Sequence, residues 1–199
     1  VYASVIPGYD NDFTRIDAVR EIENVSAGEK QIVSQFSTNA AGAQPLTVRQ
    51  RAYASSEGEM ANQVVIEYTV KNTGNAVASD VFGGIFTDWD IQNSASNVCV
   101  WDPNRKMVYA YDASQNNRFM AVKLLSWQDG SAYCFNSDGA GGSITLYDGF
   151  TNQEKFNVLS GSAVRNSSIA GDVAASISTW GETIAPGDSA LYALSLIHI

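Results

Sequence analysis

LTVRQRAYA (residues 46–54) and NQVVIEYTV (residues 62–70) decide how this chain folds. In the first, Leu46, Val48, Gln50 and Ala52 fall on one side of an extended backbone, with Thr47, Arg49, Arg51 and Tyr53 on the other. In the second, Val64, Ile66, Tyr68 and Val70 alternate with Val65, Glu67 and Thr69. Side chains along a strand point alternately to its two faces. A period of two in runs rich in Val, Ile, Tyr and Thr therefore predicts half-buried strands. The turn residues of KNTGNA (71–76) close the second run.

The same signals recur on both sides. SDVFGGIFTDWDI (79–91) reads as a strand whose Gly83 and Gly84 permit a bulge or a close backbone approach. NVCVWD and MVYAYD flank the hairpin turn DPNRK, and FMAVKLLSW is a further strand. The glycine-rich DGAGGS separates YCFN from ITLYD, and APGDS separates DVAASISTW from ALYAL. One helix is expected at TNQEKFNVLSG. Thr151 and Glu154 form a T-x-x-E capping box, Phe156 and Leu159 share a face, and Gly161 supplies the stop. FTRIDAVREI near the start is compatible with strand or helix. Together these predict an all-β fold, an antiparallel β-sandwich with one short capping helix, as a single domain over residues 1–193 that is incomplete at both ends.

Composition narrows the partners. A formal net charge of −9 lacks the clustered Lys and Arg of a phosphate-binding face, so nucleic acid is not expected. No apolar run approaches the roughly 20 residues of a membrane helix, so no membrane insertion is expected. Cys99 and Cys134 both lie in apolar, strand-like surroundings. As a disulfide they would close a loop worth roughly 3–4 kcal/mol, and as free thiols they would be ordinary buried residues. Both readings stand at this level. A thiolate zinc site is not expected.

The only histidine, His198, belongs to the closing LSLIHI. Those six residues are what CTG TCT CTT ATA CAC ATC encodes, a transposase end sequence used as a library adapter. Residues 194–199 are therefore read as adapter read-through, the alternative being a genuine final strand. With them set aside no imidazole base remains, and nucleophilic catalysis of the Ser-His-Asp or Cys-His kind has no base. No nucleophile elbow or phosphate-binding glycine motif occurs.

Carboxylates and tryptophans supply the remaining candidates. Asp88 and Asp90, two apart on a strand, would share a face, and with Asn93 they form a candidate calcium set of hard oxygen ligands. Calcium is the one cofactor considered, and loop ordering by the aspartates is the plainer role. A glycosidase pair of Asp88 with Asp90, or of either with Asp102, is a further alternative. Trp89 and Trp101, with Trp127 and Trp180, are candidate residues of a sugar-stacking platform, weighed against the core role usual for tryptophan in β proteins.

The order of YTVKNTG, GGIFTDWDI, NVCVWDPNRKMVYAYD, YDGFTNQEKFNVLSG and DVAASISTWGETIAPGDSALYAL resembles a β-rich accessory region of large secreted bacterial surface proteins. Those proteins commonly carry a subtilisin-like protease domain upstream and a type IX secretion sorting domain downstream. The resemblance covers roughly residues 44–193, and D-W-D-I is its most specific part. Relatives usually continue that motif with Gly, where this chain has Gln92. The resemblance implies a non-catalytic accessory module, secreted or at the cell surface, whose partners are the covalently linked neighbouring domains. Two alternatives remain: a module binding glycan or cell-surface polymer, stabilised by calcium or not, and a fragment of a carboxylate-dependent glycoside hydrolase.

Overall fold

The computed structural model describes residues 13–23, 25–26, 28–39, 43–115, 118–126 and 129–198. Strands β1 (Phe13–Glu21), β2 (Glu29–Thr38), β3 (Leu46–Ser55), β4 (Gln63–Asn72) and β5 (Ala78–Val81) come first. Then follow β6 (Gly84–Trp89), β7 (Asn97–Asp102), β8 (Met107–Asp112), β9 (Phe119–Leu124) and β10 (Gly130–Asn136). Helix α1 (Asn152–Leu159) precedes β11 (Val173–Thr179), β12 (Glu182–Ile184) and β13 (Ser189–His198). The chain is all-β and antiparallel, with one α-helix among the described residues. No helix among them is long and apolar enough to cross a membrane. The chain splits into two compact units: Val1–Val81 with Glu182–Leu194, and Phe82–Gly181 with Ser195–Ile199.

In the first unit the strand order is β1-β2-β3-β4-β13, with β5 and β12 paired as a separate ladder. The alternation in LTVRQRAYA and NQVVIEYTV sets the register. Val48 lies opposite Val70, Gln50 opposite Tyr68 and Ala52 opposite Ile66, while Phe36 of β2 continues the Val48 row. That face packs on the small ladder, and Val48, Val70, Ala78, Ile184 and Tyr192 form the core. On the other face Arg51 opposes Glu67, and the Tyr53 hydroxyl donates to the Glu67 carboxylate. Buried Asn72 ties the KNTGNA turn to β12. Its Nδ2 donates to the carbonyls of Ala76 at 2.8 Å and Ile184 at 2.9 Å, and its Oδ1 accepts from the Gly74 N–H at 3.0 Å. FTRIDAVREI is a strand rather than a helix. Every residue of β1 is exposed, so no buried stripe supports a helix, and the free edge of β2 satisfies its backbone instead.

In the second unit β6-β11-β10 form one sheet and β7-β8-β9 a meander facing it. Strand β11 is buried along its whole length because both of its faces are covered. One side meets the meander. The other carries Ala174, which joins Tyr133, Phe135, Ile144 and Val158 under α1. The capping box forms as expected, with Thr151 Oγ1 accepting from the Glu154 N–H and the Glu154 carboxylate accepting from the Thr151 N–H. Val158, not Phe156, is the buried anchor of the helix; Phe156 is half exposed and meets Phe82 edge-on at 5.7 Å.

Two strand readings change. SDVFGGIFTDWDI is two strands, β5 and β6, in different ladders. Gly84 opens the second because a Cβ there would stand 2.2 Å from Leu159 Cδ2. ITLYD joins no ladder: Ile144 turns into the core under α1. Residues 194–198 continue β13, with Leu194 and Ser195 buried.

Candidate functional site

The segment from Asp88 to Asn97 runs off the end of β6 into the start of β7. Pairing with β11 puts Trp89 opposite Val173 and Asp88 opposite Ala174. Trp89 therefore points toward the meander and Asp88 away from it. Trp89 and, two residues on, Ile91 are each 4% exposed, whereas Asp88, Asp90 and Gln92 lie at the surface. At Gln92 the backbone takes φ 52°, the left-handed region that favours glycine.

What holds this loop is amide and carboxylate chemistry from further along the chain. Asn97 is fully buried, and its Oδ1 accepts from the Ile91 N–H at 2.8 Å. Its Nδ2 donates to the carbonyls of Ile91 at 2.7 Å and Asn93 at 2.9 Å. Asp112, at the end of β8, accepts from the hydroxyls of Ser96 and Ser114 and from the N–H groups of Ser114 at 2.9 Å and Asn93 at 3.3 Å. Those donors, the Ser114 hydroxyl foremost, lower its pKa to about 2.

Asn97 and Asp112 supply most of the hydrogen bonds that order this loop, while the Asp88 carboxylate accepts from the Trp89 backbone N–H. Asn93 Oδ1 accepts from the Ala95 N–H at 3.3 Å and caps a short 3-10 turn, while Asp88 and Asp90 lie at the surface. No group of three or more His, Cys, Asp or Glu suited to a metal ion occurs among the described residues. Trp89 and Trp101 are core residues at 4% and 7% exposure and present no ring to a ligand. Trp180 is 66% exposed, and Trp127 lies outside the described residues. Asp102 is held by Arg105, whose Nη1 and backbone N–H donate to it at 2.6 and 3.1 Å, which lowers its pKa. It is the last residue of β7, at the mouth of the β7–β8 hairpin turn.

Asp88 keeps a distinct environment. Its pKa is raised, first by desolvation and then by the nearby charges of Asp172 and Asp90. Asp172 in turn accepts from the Tyr147 hydroxyl at 3.0 Å, raising the tyrosine's pKa. These groups make an acidic edge at the end of β6 and β11.

A second surface lies on the outward face of the meander. Val108 and Ala110 of β8 are fully buried, so the intervening Tyr109 and Tyr111 face outward. They are half-buried and stacked at 6.3 Å, and Phe119 of β9, opposite Tyr111, stands 5.6 Å from that ring and 6.4 Å from Tyr109. The M-V-Y-A-Y-D alternation makes this arrangement legible in the sequence.

No family model matches the chain, and no curated protein does. Among solved structures, a crystal structure of heparinase III is similar with a TM-score of 0.46 and 11% identity, covering 95% of this chain and 23% of that one. The chain thus spans about a quarter of that protein's length.

Proposed function

We propose that this chain is a non-catalytic accessory module of a larger secreted bacterial protein, linked in the parent chain to a catalytic domain such as a subtilisin-like protease. The observation that supports this most is the use made of D-W-D-I, the most specific part of the resemblance. Trp89 and Ile91 enter the core, and the loop beyond them is closed by Asn97. A segment distinctive for packing rather than for displayed chemistry suits a scaffold that spaces or shields a neighbour. The test is an assay of the purified chain against casein and a panel of polysaccharides, with Asp88→Asn beside it. No turnover is expected. Turnover abolished by Asp88→Asn would replace the accessory role with carboxylate-dependent hydrolysis.

The aromatic strip favours a second reading, a module that binds glycan. Pyranose rings present apolar C–H faces, and neighbouring half-exposed rings such as Tyr109, Tyr111 and Phe119 suit stacking against them. Affinity electrophoresis in gels cast with soluble polysaccharides tests it. Retardation lost in Tyr109→Ala with Tyr111→Ala supports binding there, and unretarded wild-type chain across the panel removes it.

A further inference from the structure

Cys99 stands on β7 and Cys134 on β10, strands of the two sheets that face one another in the second unit. Both side chains are fully buried, and their sulfurs are 2.9 Å apart. The approach is fixed by the backbone around them. The Cys99 N–H donates to Ser168 Oγ at 2.9 Å, and its carbonyl accepts from the Ser168 N–H at 3.0 Å. The Cys134 N–H donates to the Arg165 carbonyl at 2.9 Å. Residues 165–168 also bridge to Tyr133 and Val100, so one short strap grips both cysteine-bearing strands.

Other uses of these thiols fit poorly. Two sulfurs without further ligands do not make a zinc site, and no metal-suited cluster occurs among the described residues. A sulfur without solvent access is not a working nucleophile, and burial, foremost, pushes the Cys99 thiol up.

We infer that Cys99 and Cys134 are joined by a disulfide that ties the two sheets of the second unit together. A covalent S–S bond is about 2.0 Å long, so closure asks the sulfurs to approach by roughly 0.9 Å, within reach of small side-chain rotations. The two S–H bonds break and one S–S bond forms. Two electrons and two protons pass to a small-molecule or protein disulfide, which leaves as two thiols after a mixed-disulfide intermediate. Because the native sulfurs are enclosed, exchange takes place while the sheets assemble, before the strap closes over them. An oxidising compartment in the cell rests on the secreted location proposed above; the test sets its own redox conditions, so its failure would remove the bond and leave the accessory role standing.

The whole chain is unfolded with reductant, refolded in a glutathione and glutathione-disulfide buffer, alkylated under denaturing conditions and digested. The expected result is a linked peptide pair containing Cys99 and Cys134, with neither cysteine alkylated. Reduction of that product should lower its thermal midpoint by on the order of 10 °C, the loop closed being 35 residues in sequence separation. A Cys99→Ala, Cys134→Ala chain should melt with the reduced protein. Two alkylated cysteines, bonds between separate chains, or equal midpoints for bonded and reduced protein would overturn the inference. The mapping needs only the wild-type chain, so poor folding of the double variant leaves it decisive.

Discussion

Replacing Asn97 by Ala tests whether one buried amide holds the loop after β6. The change removes the Asn97 side-chain partner of the N–H and carbonyl of Ile91, in buried bonds, and one of three donors to the Asn93 carbonyl, which keeps the Ser96 N–H and hydroxyl. A buried group left without a partner costs roughly 1–3 kcal/mol, so the two at Ile91 alone imply a loss of about 2–6 kcal/mol. For a chain of this size each kcal/mol moves the midpoint by about 2–4 °C, which makes the expected fall on the order of 10 °C. Thermal unfolding followed by near-ultraviolet circular dichroism is the assay, because packed Trp89 and Trp101 report the second unit. Asn97→Asp should not rescue: it restores an acceptor for the Ile91 N–H but sets oxygen against two carbonyls. Asp88→Asn and Asp90→Asn are the controls, since both side chains are exposed and an asparagine can still accept the Trp89 N–H that Asp88 takes; each should lie within about 0.5 kcal/mol of wild type. Collapse of the carboxylate variants with an unperturbed Asn97→Ala would refute the reasoning and return loop ordering to the aspartates.

Asp112, with its pKa lowered to about 2, binds its proton less readily folded than unfolded. Its contribution is therefore whole above about pH 4 and lost as pH falls toward 2, and Asp112→Asn should flatten that acid limb in a pH series of midpoints. Tyr192 behaves in the opposite sense. Burial foremost, with Glu182 nearby, raises it to about 12, so its contribution holds below pH 10 and drains away as pH climbs through 12, a loss that Tyr192→Phe should abolish. Gln92→Gly relieves a left-handed backbone costing roughly 1–2 kcal/mol, partly offset by the entropy of glycine; chemical denaturation should show a net gain of about 0.5–1 kcal/mol, and a loss would mean that the Gln92–Gln115 hydrogen bond matters more than the backbone. Thr151→Ala removes the hydroxyl that accepts from the Glu154 N–H, leaving the backbone half of the capping box, and should cost about 1 kcal/mol, measured in the same way.

Much of the fold was legible because strand parity is a local property. Val48, Val70 and their neighbours announce their face by alternation alone, and Thr151 with Glu154 announces the start of α1 by spacing alone. The break inside SDVFGGIFTDWDI was not legible, since the reason for Gly84 is the Leu159 side chain, 75 positions away. Candidate site residues failed for a related reason. Aspartates flanking a tryptophan look like ligands when counted by type, yet Asp88 faces outward by parity and Asn93 is used by its own turn. Asn97 and Asp112 looked ordinary because their partners are mostly backbone groups, which the sequence names only by position. Tyr109 and Tyr111 are legible by the same alternation that marks β3 and β4.

The segment that carries the resemblance can be understood position by position as a folding device. Pairing with β11 sends Trp89 inward, and Ile91 follows it into the core. The next residue, Gln92, turns left-handed, a conformation that favours glycine. Six positions after Ile91, Asn97 closes the loop by bonding both its N–H and its carbonyl, while Asp112 gathers the hydroxyls and N–H groups of the outer turn. Each requirement is set by backbone geometry or burial, and none asks for a substrate. A pattern with that origin marks a way of joining two sheets.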